Sequence, residues 1–331
     1  MRLGRFPYVA FSRLTWLAIG WLVLVSGVGL LAPWLPLPFA PGVPDLLHVA
    51  EPPSWGAAPR HWLGTDPLGC DVLTEVLFGA RQVAILSLPA ALLAALVGAL
   101  AGGSAGFWGD RGWRLPLGAW LLGLAVGWWL VALPGGRTVA GLLLGAAMLA
   151  WWVAPRVRWV GHATWPLPLD SLFQTAITLL GAVPRLVLVL VLAAGPPLAT
   201  GQLLVLLVVV AWPEPARQVR AQMQQVRELP FVEAARALGL STGRVWLRHA
   251  LPHACRPLQA TVPLSLAGLI GLESTLAFLG VGRPPDVSSW GRLLGMLRQE
   301  PGAWWLLASA GGALLLTLLA LQRLARAFAT R

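Results

Sequence analysis

Long apolar runs separated by short polar stretches set the pattern of this chain. The runs are Leu14 to about Ala32, Val83–Phe107, Leu115–Leu133, Thr138–Ala154, Ser171–Ala194, one that starts at Gln202, Cys255–Leu279 and Ala303–Leu321. Several reach the roughly 20 residues that cross a bilayer core as a helix. Counted as membrane helices, they make about eight spans. Arginine marks the stretches between them: Arg2, Arg5 and Arg13; Arg111 and Arg114; Arg156 and Arg158; Arg217, Arg220 and Arg227; Arg323, Arg326 and Arg331. Arginine-rich loops stay on the cytoplasmic side, so both termini and the loop 222–252 are expected there.

Pro230–Pro252 is polar and basic between two greasy runs. Phe231, Ala235 and Leu238 fall at i, i+4 and i+7, one face of a helix. Gly239 can take the left-handed conformation that ends such a helix. Ser241 stands where it would cap a second short helix carrying Arg244 and Arg248. The pattern predicts a helix–turn–helix knob outside the bilayer with a small apolar face.

Other stretches carry local signals. The prolines of Pro33–Pro53 predict an extended outside loop. Thr65-Asp66-Pro67 is a turn, and Asp71 stands at the start of an amphipathic helix. Gly98, Gly102 and Gly106 repeat every four residues, the small-residue spacing of close helix packing. Pro134-Gly135-Gly136-Arg137 predicts a tight turn joining two runs into a membrane hairpin, each run carrying a glycine pair (Gly123/Gly127 and Gly141/Gly145). Pro184 should kink its span. Arg185 beside it needs a partner or water, and an ion pair to another helix is the default expectation. Glu273, near the outer end of its span, either lines a path or anchors the outer loop.

Composition agrees. The chain has 331 residues, 57% hydrophobic and 11% charged, against about 25% charged in soluble domains. That is a polytopic membrane protein, and the 19 Trp, many near run ends, suit the headgroup zone. The net charge of +11 comes from Arg alone; it reads as membrane orientation and lipid contact, with no nucleic-acid partner. The absence of Lys excludes a standard P-loop ATPase on this chain. Cys70 falls in the expected outside loop and Cys255 beside a cytoplasmic one, so no disulfide is expected. His249 and His253 have metal-binding spacing, but Pro252 lies between them and no acid is near. No nucleophile–base pair or paired-carboxylate site is visible, so no catalytic residue, cofactor or metal is expected, and the chain is not expected to be an enzyme.

Three stretches carry a resemblance. Glu233-Ala234-Ala235, Gly239 and Leu251-Pro252 resemble the EAA motif of ABC importer permeases. Leu63-Gly64-Thr65-Asp66, Gly69, Asp71-Val72-Leu73 and Gly79-Ala80-Arg81 are similar to the segment before the first core helix of the C-type subunit in the dipeptide/oligopeptide/nickel family. Glu273-Ser274, Phe278 to Gly282, Pro284-Pro285 and Ser289-Trp290-Gly291 resemble its last outside loop. The resemblance implies an all-α type I importer transmembrane domain: the usual six helices plus an inserted hairpin, in a bacterial or archaeal cell membrane. It divides the chain into an anchor helix (1–32), an outside loop and re-entry segment (33–81), a first core helix (82–112), the inserted hairpin (113–158) and a permease core (166–331). The implied partners are a homologous permease subunit, two cytoplasmic ATPases and an external solute-binding protein.

The resemblance also implies that Phe231, Glu233, Ala234, Ala235, Leu238, Gly239, Leu251 and Pro252 couple to the ATPase, with Arg185 and Glu273 as candidate translocation-path residues. Peptides are the expected cargo, with nickel or another small solute the alternative. Readings of another class are a secondary transporter or channel acting alone, or a membrane scaffold. The chain departs from the family at Cys70 and Glu75, where Arg is common, at Ala250, where Ile is usual, at Arg185, and in the hairpin itself.

Overall fold

The computed structural model describes residues 12–54, 61–110, 114–116, 164–166, 168–193, 198–282, 284 and 287–329. The two runs expected to form a hairpin at 115–133 and 138–154 lie outside these residues apart from Leu115 and Pro116. The chain divides into two compact units, Met1–Gly103 with Ile177–Arg331, and Ser104–Ala176.

In the first unit, α1 (Arg13–Leu31) starts at Ser12, whose Oγ accepts the Thr15 amide at 3.3 Å. It is apolar all round, and Leu17 and Val23 are exposed, as suits a helix facing lipid. Asp71 caps α2 (Val72–Gln82) by accepting the Thr74 amide at 2.9 Å. A π turn, Val83–Ser87, joins α2 to α3 (Leu88–Trp108). The three make one apolar helix of 37 residues. The re-entry segment and the first core helix are therefore continuous, and the expected boundary at 81/82 falls inside a helix.

Among the described residues four helices are long and apolar enough to cross a membrane: Arg13–Trp34, Val72–Trp108, Leu258–Leu279 and Trp304–Ala329. A fifth span is available if Asp170–Ala182 and Arg185–Val191 act together, but they meet at 79°. Pro184 lies in the break, as expected of a residue that cannot donate a helix hydrogen bond. We number the helices on either side α4 (Leu169–Ala182) and α5 (Arg185–Ala193). The run from Gln202 is short: α6 (Thr200–Ala211) gives way at Trp212 to α7 (Pro213–Val226). Among the described residues the candidate spans are thus four, or five with the bent pair, and two of the eight expected runs lie outside these residues.

After α7 come α8 (Pro230–Ala237), then α9 (Thr242–Arg244), which runs through a π turn at Val245–Ala250 into α10 (Leu251–Ala254). The long α11 (Leu258–Leu279) ends at Gly280, whose φ of 73° closes the helix. The short α12 (Trp290–Met296) follows. The last span is α13 (Trp304–Leu306), a π turn at Leu307–Gly311, and α14 (Gly312–Ala329).

Small residues and indoles set the packing. A side chain at Gly29 would meet the Ala80 carbonyl at 2.6 Å, so α1 rides directly on α2. Gly98 and Gly102 both face the backbone around Ala216 of α7, as their spacing predicts. Trp21 donates its indole N–H to Thr317 Oγ1 at 3.0 Å, tying α1 to α14. Trp290 and Trp305 are buried rather than placed at the headgroups. Their N–H groups donate to the carbonyls of Val76 at 2.9 Å and Thr65 at 3.0 Å, which satisfies the one polar atom of each ring.

In the second unit, β1 (Arg114–Pro116) pairs antiparallel with β2 (Thr164–Pro166), Leu115 opposite Trp165. Each strand ends on a proline, which disfavours helical conformation in the residue before it. Asp110 accepts the amide of Ser171 at 2.9 Å and its hydroxyl at 2.8 Å. The segments on either side of 117–163 are thereby held side by side.

Candidate functional site

The knob forms as a helix–turn–helix. Gly239 has a φ of 76°. Its amide donates to the Arg236 carbonyl at 2.9 Å, and the Leu240 amide donates to that of Ala235 at 3.3 Å. That double bond pattern is the glycine-dependent stop of a helix. Ser241 holds the first position before α9 with an extended backbone, but its side chain makes no capping bond.

The face that α8 presents differs from the expected one. Val232 and Ala235 are buried against the chain itself, while Phe231, Glu233, Ala234 and Leu238 are exposed. Leu238 is 82% exposed, an unusual state for a leucine on a polar knob. The outward apolar edge is therefore Phe231, Ala234 and Leu238, at i, i+3 and i+7. Ala235 belongs to the inward side. Phe231 also packs near His253, with ring centroids 5.0 Å apart. His253 Nδ1 lies 2.8 Å from the His249 carbonyl oxygen and donates to it, which occupies one of its two ring nitrogens. Leu251 lies over Gly103 of α3, where an added Cβ would stand 2.7 Å from Leu251 Cδ1. Pro252 is exposed.

One helix leads from the knob to a cavity. α7 is 14 residues long, about 21 Å at about 1.5 Å per residue. Its far end carries Glu214 in the wall of a cavity of about 270 Å³, shared with Arg185, Gln218, Thr261, Ser265 and Gly268. Glu214 lies 3.7 Å from the Arg185 guanidinium and 3.6 Å from that of Arg217. Gln218 Nε2 donates to Glu214 at 3.3 Å, and Thr261 donates its hydroxyl to Gln218. Arg185 also lines a second cavity of about 290 Å³ with Pro184, Val210, Pro213 and Arg217, beside the break between α4 and α5. The expected helix-to-helix ion pair of Arg185 is thus present. Glu273 is 5% exposed on α11 and lines neither cavity, so the two candidate path residues are not brought together. Sequence reasoning passed over Glu214 and Gln218. The available signal was an acid set between Pro213 and Pro215 at the end of an apolar run.

A second group of polar residues forms a buried network around Asp66 and Glu75. Asp66 Oδ1 accepts the amides of Leu68 at 2.9 Å and Cys70 at 2.8 Å, which closes the Asp66–Gly69 turn. Glu75 forms a buried ion pair with Arg292 of α12 and accepts the Gly42 amide at 2.9 Å. Burial pushes the Cys70 thiol up to about 11, helped by the carboxylates of Asp66 and Glu75. The proline-rich loop is zipped to this segment: Asp45 N–H to the Gly69 carbonyl at 2.8 Å, Ala50 to Asp66 at 3.1 Å, and Thr65 to Glu51 at 3.0 Å.

Residues 159–331 match the family described as the binding-protein-dependent transport system inner membrane component. The chain is 28% identical over 292 residues to a putative peptide permease protein of Brucella suis biovar 1, covering 86% of this chain and 76% of that one. It is also 28% identical over 307 residues to a putative peptide transport system permease protein of Brucella abortus biovar 1, covering 91% and 81%. To the oligopeptide transport system permease protein OppC of Bacillus subtilis it is 25% identical over 249 residues, covering 75% of this chain and 62% of that protein.

Proposed function

The chain belongs to the family of binding-protein-dependent transport system inner membrane components, and from that premise we propose that it carries peptides through the membrane. As a permease of such a system it works with an ATPase and a solute-binding protein, and ATP hydrolysis lies on the ATPase. Peptides are the cargo named for the similar permeases of Brucella and Bacillus. Within the assembly we assign it one of two homologous permease positions, above two ATPase subunits. The full chain has about eight spans with both termini in the cytoplasm.

The observation that carries this reading is the continuity of α7. Its first turn places Glu214 in the cavity wall, and it ends at the turn that leads into the knob. Val219 and Met223 on its inner side are fully buried, so it is gripped along its length. α3 lies directly against the α7 backbone at Gly102, and against the Ala216 backbone and the Pro215 ring at Gly98. When the ATPases close, Phe231, Ala234 and Leu238 take the push. α7 conveys it as a rigid rod, and α3 follows. The cavity around Arg185 and Glu214 then changes its access. Glu233 offers a charge for an arginine of the ATPase, and Gly239 aims the exposed edge.

Co-purification and uptake test the reading together. The protein should recover an ATPase, and Glu233→Arg with Gly239→Pro should abolish peptide uptake. If no ATPase is recovered and both variants transport normally, the coupling assignment fails. Peptide ligands on the cognate solute-binding protein test the cargo separately.

A further inference from the structure

Asp45, His48 and His61 converge where the proline-rich loop meets the segment before α2. Their ligand atoms all lie within 4.8 Å of one another. We propose that they form a binding site for a divalent first-row cation of the Zn²⁺ type, which fastens the loop to that segment.

His61 is 2% exposed, and its Nε2 has no hydrogen-bond partner. A buried imidazole nitrogen left in that state calls for an explanation. The ring is held from two sides. Phe39 stacks on it with centroids 4.2 Å apart, and Nδ1 lies 3.0 Å from Asp71 Oδ1. Asp71 is itself fixed, accepting the amide and the hydroxyl of Thr74. The carboxylate keeps the His61 proton on Nδ1 and leaves an Nε2 lone pair facing Asp45, 3.6 Å from its Oδ2. A carboxylate behind a histidine is the usual support for a metal-ligating imidazole.

The remaining distances suit a small cation. His48 Nδ1 lies 2.9 Å from the same Asp45 oxygen. Ligand atoms about 2.0–2.2 Å from a tetrahedral Zn²⁺ stand about 3.3 Å apart, between the two separations to Asp45 Oδ2, while the two imidazole nitrogens lie within 4.8 Å of each other. Two imidazoles and one carboxylate favour a borderline metal over Mg²⁺ or Ca²⁺, which take oxygen ligands. On binding, His48 carries its proton on Nε2 and offers Nδ1, Asp45 stays ionised, and water completes the shell. The cation bridges residues 45–48 to residue 61, beside the backbone bonds that already join the two segments. Spacing along the chain did not reveal the cluster, because the three residues meet only through those bonds.

The test uses the full chain in nanodiscs, stripped with chelator and titrated with Zn²⁺ against a chromophoric competitor. One equivalent should bind. Asp45→Asn and His48→Gln should each weaken it at least about 10-fold, and Asp71→Asn by about 10–100-fold. His61→Gln risks the fold, so the half-buried His48 carries the test. Zn²⁺ should also slow amide exchange in residues 45–54 of the native chain and not of His48→Gln. A His249→Gln control should bind as the native chain does. The proposal is overturned if the native chain takes up no Zn²⁺, or if uptake is unchanged in Asp45→Asn and His48→Gln.

Discussion

Glu75 and Arg292 form a buried ion pair across 217 positions of sequence. Glu75 is fully buried, and Arg292 also stands 3.9 Å from Asp66. With the Gly42 amide on its other oxygen, Glu75 joins three distant segments. Removing one partner of a buried pair strands the other charge, at a cost of about 3–5 kcal/mol. Glu75→Ala and Glu75→Arg should each lower the unfolding temperature in detergent sharply. Glu75→Arg with Arg292→Glu should recover much of the loss. Simple additivity of the two single changes would show that the residues do not act as a pair.

Cys70 should resist modification. Its thiol is buried and pushed up to about 11, so at pH 8 the thiolate is on the order of one part in a thousand. Maleimide should label Cys255 well before Cys70 in the native protein and both at once after unfolding. The sign for stability follows. An unfolded thiol ionises near 9 and the folded one near 11, so stability holds below pH 9 and falls between 9 and 11. Cys70→Ala should flatten that part of the pH–stability curve. Rapid labelling of Cys70 in the native protein would contradict its burial.

The contact of α3 with α7 leaves no room for a methyl group. Gly102→Ala drives a Cβ into the Ala216 backbone, and overpacking of this kind costs about 1–3 kcal/mol. Gly20 in α1 has open space around its Cα. Gly20→Ala should be neutral or raise stability by up to about 1 kcal/mol through helix propensity. Thermal unfolding of the two variants side by side decides the matter; equal effects would mean that the glycine contact contributes nothing.

Exposure on the knob separates docking from folding. Leu238 and Phe231 face outward, so Leu238→Glu should leave the unfolding temperature unchanged and reduce ATPase co-purification and uptake at least 10-fold. Val232 is fully buried, and Val232→Ala should instead lower stability by about 2 kcal/mol. Normal ATPase recovery by Leu238→Glu would remove this edge from the docking surface.

Arg185 and Glu214 are about half exposed. Pairs of that kind contribute roughly 0–1 kcal/mol to stability. Glu214→Gln and Arg185→Gln should therefore fold normally, yet alter uptake, because both groups line the cavity at the end of α7. Unchanged uptake kinetics in both variants would take the cavity out of the transport path.

The sequence shows most clearly what is local. Asp71 caps its helix, Gly239 stops another, and Gly98 and Gly102 mark a close helix contact. The orientation of α8 was less legible. Eight residues with Phe231, Val232 and Ala235 all apolar have two candidate faces, and only the packing of the chain behind them turns Val232 and Ala235 inward. Indole near the end of an apolar run suits the headgroup zone, and nothing local in the sequence marks Trp290 and Trp305 as buried. Their burial depends on the Val76 and Thr65 carbonyls, more than 200 positions away. The partner of Glu75 was hidden for the same reason, since a lone acid within an amphipathic helix does not name its cation.

The three π turns, at Val83–Ser87, Val245–Ala250 and Leu307–Gly311, each sit within an otherwise regular helix. A wide turn of this kind holds a surplus residue relative to the α geometry around it. Codon loss at these places would be absorbed by relaxation to an ordinary turn. Loss of a codon elsewhere in the same helices would swing every later side chain by about 100°. Indel scanning should therefore find three narrow windows of tolerance in helices that otherwise accept none.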